Sequence, residues 1–302
     1  MEIRVNNQTI NFTLENEKTL GDIYKAIQQW AGSKNFNLLS MKVNQEQVPL
    51  FTPEKWEQQE INAIELIDIE LESELDARFK QLETIHRYFE YLERAVASDN
   101  SEEIKKMLED FPSVYRAISN LIDSGGSHEL ADSLKRLIAT SGLFQNLKLE
   151  QDKKPVFFSS IDKVRNLIFT RMKEIATPAQ ELRKTISRFK EMEEQFSEVS
   201  VLLQTGKDSK AMSIITEFSE LSEKLLRTMP YLQQTYGDSE NVVLAEKKLT
   251  SLFQELQDIL QELSEAFDSK DYVLIGDIME YEIAERITEL QSISELLPEE
   301  EK

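Results

Sequence analysis

The sequence contains no cysteine and little glycine, and each shortage excludes particular features. Without cysteine the chain can form no disulfide, thiol nucleophile or thiolate metal site, so a reducing cytoplasm is the simplest location to expect. Glycine occurs only 8 times in 302 residues, fewer than about half its usual share. We therefore expect few long irregular loops.

Long apolar segments and nucleotide-binding motifs are also missing. No run of about 18 apolar residues occurs, so we expect no membrane insertion. The first residues, MEIRVNNQTINFTLE, alternate apolar and polar and lack the apolar centre of a secretory signal. Neither a G-x-G-x-x-G nor a G-x-x-x-x-G-K-[ST] pattern occurs, so the sequence offers no loop typical of nucleotide cofactor binding.

Positive charge is scarce relative to negative charge. The chain has 35 Lys and Arg residues against 56 Asp and Glu residues, a net charge of −21. Both the first 72 residues and the remainder are acidic, and no basic stripe offsets this, so we expect no nucleic-acid partner. The acidity indicates a solvated surface or, alternatively, a preference for basic protein segments.

Residues that could carry catalysis are few. His86 flanks an apolar helical stripe and His128 lies near a predicted helix start, so both are interpreted as structural residues. Neither has the spacing of a metal-binding histidine pair. We expect no catalytic residues, no metal and no cofactor, and an enzyme with an unrecognised carboxylate site is the third of three functional alternatives.

The first 72 residues switch pattern repeatedly. They predict strands near Glu2–Asn6, Thr9–Leu14, Leu38–Asn44, Gln47–Leu50 and Ile64–Ile69, with tight turns at Asn7-Gln8 and Gln45-Glu46. A helix follows Thr19, which can cap it, and a short helix begins near Pro53. The apolar residues expected to close one small core are Ile3, Val5, Phe12, Ile23, Ile27, Trp30, Val43, Ile64 and Leu66.

This order, together with TLGDIYKAI at residues 19–27, resembles the ubiquitin-like β-grasp fold. The resemblance covers about a quarter of the chain and implies a compact recognition domain. No Gly-Gly tail follows Ile69, so conjugation is not implied. Lys42 lies near the position of an apolar receptor-binding residue of ubiquitin. Lys42 is a candidate protein-binding residue, and so is Ile67, which lies in the final strand.

From Ser73 onward the apolar spacing of three and four predicts helices almost throughout. The predicted ranges are 74–97, 101–123, 127–140, 159–175, 178–205, 208–229, 240–268 and 271–296. Helices this long indicate a bundle or coiled, antiparallel hairpins. We therefore predict an α+β domain over 1–72 and an acidic helical bundle over 73–302, with a further division into 73–145 and 159–302 at a polar linker.

The stretch SKDYVLIGDIMEYEI, residues 269–283, combines acids with a dense apolar run. It is either an acidic functional site or the start of a buried helix. Asp271 is placed to cap the helix, and Gly276 indicates close approach of another helix. Asp277, Glu280 and Glu282 point in different directions around a helix, so we interpret the stretch as core.

These patterns favour a non-enzymatic scaffold or adaptor whose partners are other proteins, including basic or helical segments. The second alternative is a bacterial export or flagellar-type chaperone, by a loose resemblance of the long hairpins. Phe157 and Phe158 are candidate protein-binding residues, either as an exposed docking motif or, the interpretation we favour, as a loop anchored into the bundle.

Overall fold

The structure is a computed structural model that describes residues 1–10, 17–123, 128–237 and 239–299. The chain divides into two compact units, residues 1–161 and 162–302, and the division falls within one long helix. The first unit contains a small sheet followed by helices, and the second unit is helical. The predicted class, an α+β domain followed by a helical body, is confirmed.

The sheet domain, here called the head, is formed by residues 1–73. Its strands are β1 (Glu2–Val5), β2 (Gln8–Thr9), β3 (Phe36–Val43), β4 (Glu46–Gln47) and β5 (Leu66–Ser73). Helix α1 (Leu20–Ser33) begins with a capping box, in which Thr19 Oγ1 accepts from the Asp22 N–H and Asp22 Oδ2 accepts from the Thr19 N–H. Pro53 opens a 3-10 turn where the short helix was predicted.

The strands are ordered β2-β1-β5-β3-β4, with β1 and β5 parallel and the other pairs antiparallel. This small mixed sheet fits a β-grasp-like head. Both hairpins turn through left-handed residues, Asn6 and Asn7 in the first and Asn44 and Gln45 in the second. Asparagine tolerates this conformation best among residues with a side chain, and for that reason each turn lies one residue earlier than predicted.

The core of the head confirms most predicted residues but corrects two, Leu66 and Trp30. Leu66 is half-buried and alternates along β5 with the buried Ile67, so its side chain lies on the opposite face of the sheet. Ile3, Ile23, Ile27, Val43 and Ile64 are buried. Trp30, however, is 43% exposed, and the buried tryptophan is Trp56 at 7%. Trp56 packs edge-on against Tyr24, and its indole N–H donates to the Pro49 carbonyl at 2.9 Å. Phe12, with most of the predicted second strand, lies outside the described residues.

Helices continue the first unit. They are α2 (Glu74–Ala97), α3 (Ser101–Leu121), α4 (Glu129–Ser141), α5 (Leu143–Asn146) and the beginning of α6 (Lys154–Ala176). The polar linker predicted over 145–160 is shorter in the structure, where the connection spans 147–153, because α6 begins at Lys154. The Lys154 ammonium lies 3.0 Å from the Asp99 carboxylate in the α2–α3 turn, so the charge that indicated a linker anchors a helix start.

The second unit contains a four-helix bundle. Its helices are α7 (Pro178–Gln204), α8 (Asp208–Tyr236), α9 (Glu240–Ser269) and a final segment made of α10 (Tyr272–Asp277) and α11 (Ile283–Ser294). Each helix packs against the next, and α11 packs against α7, so the four surround one apolar core. No helix in the described ranges has the length and apolarity needed to cross a membrane.

Two helix predictions in this unit need correction. Helix α8 was predicted to stop before Pro230 but continues to Tyr236. The buried side chains of Met229 and Leu232 on either side of the proline offset the missing backbone hydrogen bond. The helix predicted over 271–296 is interrupted by one π-helical turn at Ile278–Glu282.

Candidate interaction surfaces

The outer face of the head's sheet carries a row of polar side chains. The strand register places Thr9, Arg4, Asp68, Lys42 and Gln47 side by side across all five strands. Their neighbours along the strands are largely buried on the α1 side, so the alternation of a pleated strand turns this row to the opposite face. The face therefore presents a cation, an anion and a cation in sequence.

At one end of the row, Glu2 forms hydrogen bonds with both Arg4 and Thr9. Its Oε1 accepts from Arg4 Nε at 2.8 Å and from Thr9 Oγ1 at 2.6 Å. These two hydrogen bonds, the one from Arg4 first, lower the pKa of Glu2 below its ordinary value. The bond to Glu2 likewise raises the pKa of Arg4. Because these groups are solvated, the pairing orients Arg4 more than it stabilises the fold.

The two predicted head residues lie on opposite faces of the sheet. Lys42 is half-buried on the outer face, where it lies beside Asp68. Ile67 is fully buried under α1, so its side chain is unavailable to a partner in this conformation. Neighbouring residues of a strand alternate between faces, and the apolar position in β5 belongs to the core. The charged face around Lys42 remains the candidate surface.

The Phe157-Phe158 pair also divides into a buried and a half-buried residue. Phe157 is 1% exposed within α6, and its ring packs edge-on against Phe158. The prediction that this segment is anchored by its aromatic side chains therefore describes Phe157, although the segment is a helix and not a loop. The apolar side chain that reaches solvent here is Val156, which the sequence did not single out.

Two buried carboxylates were missed by sequence reasoning. Glu174, near the end of α6, is fully buried and accepts from Arg227 Nε at 2.9 Å and Arg227 Nη2 at 3.0 Å. Glu181, in the first turns of α7, is almost fully buried and accepts from Lys184 at 2.8 Å and Lys224 at 2.7 Å. One face of α8 thus supplies a cation to each acid.

The environment of Glu181 keeps its carboxylate charged. Burial by itself raises the pKa of Glu181, but the hydrogen bonds and charges of Lys184 and Lys224 outweigh burial and lower the pKa below its ordinary value. Short-range spacing could have indicated the pair of Glu181 with Lys184. Lys224 is distant in sequence, so only the fold brings it to Glu181. Each acid is paired with cations, as expected for a structural clamp.

A groove runs between α8 and α9. Its volume is about 320 Å³, and we call it the α8–α9 groove, lined by Leu226, Met229, Pro230, Phe253 and Glu246, with neutral polar residues around them. Met229 and Phe253 form a buried floor, and Leu226 is 39% exposed at the rim. Pro230 has no N–H, so the Leu226 carbonyl lacks its intrahelical donor.

The stretch SKDYVLIGDIMEYEI lies in the bundle as a core element. Ile275, Ile278 and Met279 are fully buried, and Asp271 Oδ1 accepts from the Leu274 N–H at 3.0 Å as a cap. Val273 differs from the prediction that the apolar side chains of this stretch are buried, because it is 63% exposed. In the parts of the chain that the structure describes, no three acidic or histidine side chains lie close enough to hold a metal ion.

Gly276 explains one feature of that stretch. A Cβ added at Gly276 would lie 2.5 Å from Ser200 Cβ, far inside contact distance. The Ser200 hydroxyl also donates to the Tyr272 carbonyl at 3.2 Å. The close helix approach expected from this glycine is confirmed.

Two families match different parts of the chain. Residues 1–73 match the family described as the TP0873 N-terminal domain, and residues 180–293 match a domain of unknown function, DUF8042. The first match ends at the last residue of β5, and the second spans nearly the whole four-helix bundle. No curated protein and no solved structure matches the chain.

Proposed function

We propose that this protein is a non-enzymatic adaptor in which the head binds one partner protein and the helical part binds another. The observation that carries the proposal is the separation of two self-contained cores. The head core is built from residues between Ile3 and Leu71, and the bundle core from residues between Ala179 and Leu297. Two different family matches fall on these same two parts.

Charge supports a binding role for the head and has a structural role in the bundle. The outer face of the head offers the charged row that contains Arg4, Asp68 and Lys42, which favours a polar partner surface. In the bundle, the buried acids Glu181 and Glu174 form ion pairs with lysine and arginine side chains, so we interpret them as structural residues. A compact fold that presents a charged face is a recognition element in this proposal.

The test is affinity capture from extract of the native cell, with the full chain and with residues 73–302. We expect the full chain to capture one partner that the shorter chain loses and another that it retains. A matched pair of full-chain variants localises the first: Arg4→Glu with Lys42→Glu against Lys18→Glu with Lys55→Glu. Capture of the same proteins by every form would contradict the head's role, and consumption of a small molecule would overturn the non-enzymatic proposal.

A chaperone for helical segments is the second candidate, and the α8–α9 groove favours it. The groove has an apolar floor and one acidic rim residue, Glu246, and residues 240–299 carry 15 acidic and 4 basic side chains. The ligand that fits this groove is an amphipathic helix with a basic edge. Leu226→Glu should abolish capture of such a segment, whereas capture of folded proteins alone would favour the adaptor.

A further inference from the structure

The first half of β3 has a strand on one side only. Along its length β3 pairs with β5, from Phe36 opposite Ser73 to Val43 opposite Ile67. On the other side β4 pairs only with Lys42 and Val43, and the Val48 N–H donates to the Met41 carbonyl at 2.9 Å. Within the described ranges, Phe36–Leu39 has no strand neighbour on this outer side. We call this segment the open β3 edge.

A groove of about 480 Å³ lies between this segment and α1. Lys25, Gln28, Gln29 and Gly32 line it from the helix, and Phe36 and Leu38 line it from the strand. An unpaired strand edge beside a groove is the arrangement in which a peptide adds as a further strand. Main-chain hydrogen bonds would then hold the peptide, and alternate side chains would enter the groove.

The groove also has a distinct charge. Among its described lining residues the one charged side chain is Lys25, although the head as a whole carries 12 acidic and 6 basic residues. Leu39, which is 52% exposed where the β3–β5 register shifts, adds apolar surface at the edge. A complementary ligand therefore has apolar side chains and negative charge.

We propose that the open β3 edge binds an extended, acidic segment of a partner protein, which adds as a strand and places alternate side chains against α1. This inference rests on the proposed adaptor function and adds a second surface, beside the charged outer face, through which the head holds its partner. It differs from binding on the outer sheet face, because the open edge uses backbone groups and the cation Lys25.

The test uses the full chain and fluorescein-labelled peptides VEVDVE and VKVKVK. We expect anisotropy to show saturable binding of the acidic peptide and none of the basic one, with amide shifts confined to the open β3 edge and α1. Lys25→Glu should weaken binding about tenfold, and Lys55→Glu, an exposed charge reversal outside the groove, less than about twofold.

A second variant tests the groove without changing charge. A Cβ at Gly32 would meet no atom within 4 Å, so Gly32→Trp should fold and fill the groove, abolishing binding of VEVDVE. Binding that survives both Lys25→Glu and Gly32→Trp would overturn the proposal. So would a concentration-dependent dimer of the wild type that Gly32→Trp makes monomeric, because a second copy would then occupy the edge.

The failure of this inference can be separated from failure of the adaptor function. If VEVDVE does not bind but head-dependent partners are still captured from extract, only the open-edge proposal fails. If the full chain captures no protein, the adaptor proposal fails whatever the peptide does.

Discussion

The head and the four-helix bundle achieve a unique fold by different means. In the head, strand register and left-handed asparagine turns fix which residues lie side by side, and the core beneath is small. In the bundle, long apolar stripes fix the packing, and the core extends along every helix. Backbone pairing therefore sets the register of the head above a small core, whereas side-chain packing along the whole length of the helices specifies the bundle.

The largest effect is expected from Ile278→Asp, which places a charge in the bundle core. The side chain is fully buried, so the loss in free energy of unfolding should be several kcal/mol. Both tryptophans, Trp30 and Trp56, belong to the head, so their fluorescence reports the head while circular dichroism reports mainly the helices. Denaturant titration should shift the circular dichroism transition and leave the fluorescence transition in place.

The matched control for that substitution is Val273→Asp, in the same segment but exposed. It should change stability by about 0.5 kcal/mol or less. If the circular dichroism and fluorescence transitions both shift in Ile278→Asp, the head and the bundle unfold together, and the expected difference between them is wrong.

Trp56→Ala should be the most damaging single change in the head. Loss of a buried tryptophan typically costs about 3–5 kcal/mol, whereas Trp30→Ala should cost less than about 1 kcal/mol because that ring is largely exposed. In each variant the remaining tryptophan reports unfolding by fluorescence. Equal losses in the two variants would contradict the core assignment.

Glu181→Gln should remove a pH-dependent contribution from the bundle. The folded pKa of Glu181 lies below its ordinary value, because the hydrogen bonds from Lys184 and Lys224 outweigh the effect of burial. Its stabilisation is therefore present above the unfolded pKa and disappears as pH falls through the folded value. The variant should lose about 1.5–3 kcal/mol at neutral pH and show a flatter stability curve at acid pH. Glu191→Gln, at an exposed pair with Arg188, is the control and should leave the curve unchanged.

Two glycine substitutions should have opposite signs in the two parts. Gly276→Ala should destabilise the bundle by about 1–3 kcal/mol because its Cβ overlaps Ser200, and Ser200→Gly in the same chain should restore part of the loss. Gly32→Ala, in open space on α1, should stabilise the head by about 0.5–1 kcal/mol. Thermal melts of the single and double variants measure both, and a neutral Gly276→Ala would disprove the close packing.

The smallest contrast lies between two acids of one stretch. Asp271→Ala removes a cap and should cost about 0.5–2 kcal/mol. Asp277→Asn, at an exposed position, should change stability by less than about 0.5 kcal/mol. Thermal melts distinguish the two, and the reverse ranking, with a loss of partner binding in Asp277→Asn, would restore the interpretation as a functional site.

Local pattern predicted the helices well because each long helix repeats one apolar stripe. The bounds of α2 match the predicted 74–97, and Pro178 and Asp271 begin their helices as expected. Pattern failed where tertiary packing decides. Trp30 has the same helical spacing as Ile23 and Ile27, yet its side chain is largely exposed because the sheet does not cover it. Glu174 and Arg227 are far apart in sequence, so only the folded chain brings them together. The open β3 edge could not be predicted either, because it depends on how short β4 is.

Independent folding of the predicted domains 1–72 and 73–302 stays a prediction. The TP0873 N-terminal match ends at Ser73, next to the predicted boundary, while the two compact units divide at Ile161 and Asp162. The isolated head should give dispersed amide resonances and a cooperative melt, and a collapsed spectrum without a cooperative melt would remove the boundary at 72.

Site-specific photo-crosslinking in the native cell tests most directly whether the two parts bind different proteins. A crosslinking amino acid would replace Lys42 on the outer sheet face of the head, Leu226 at the α8–α9 groove, or Val273 as an exposed control. If the protein is an adaptor, we expect one protein crosslinked at Lys42, a different one at Leu226, and neither at Val273. The same set of proteins at all three positions, or none at Lys42 and Leu226, would contradict the proposal.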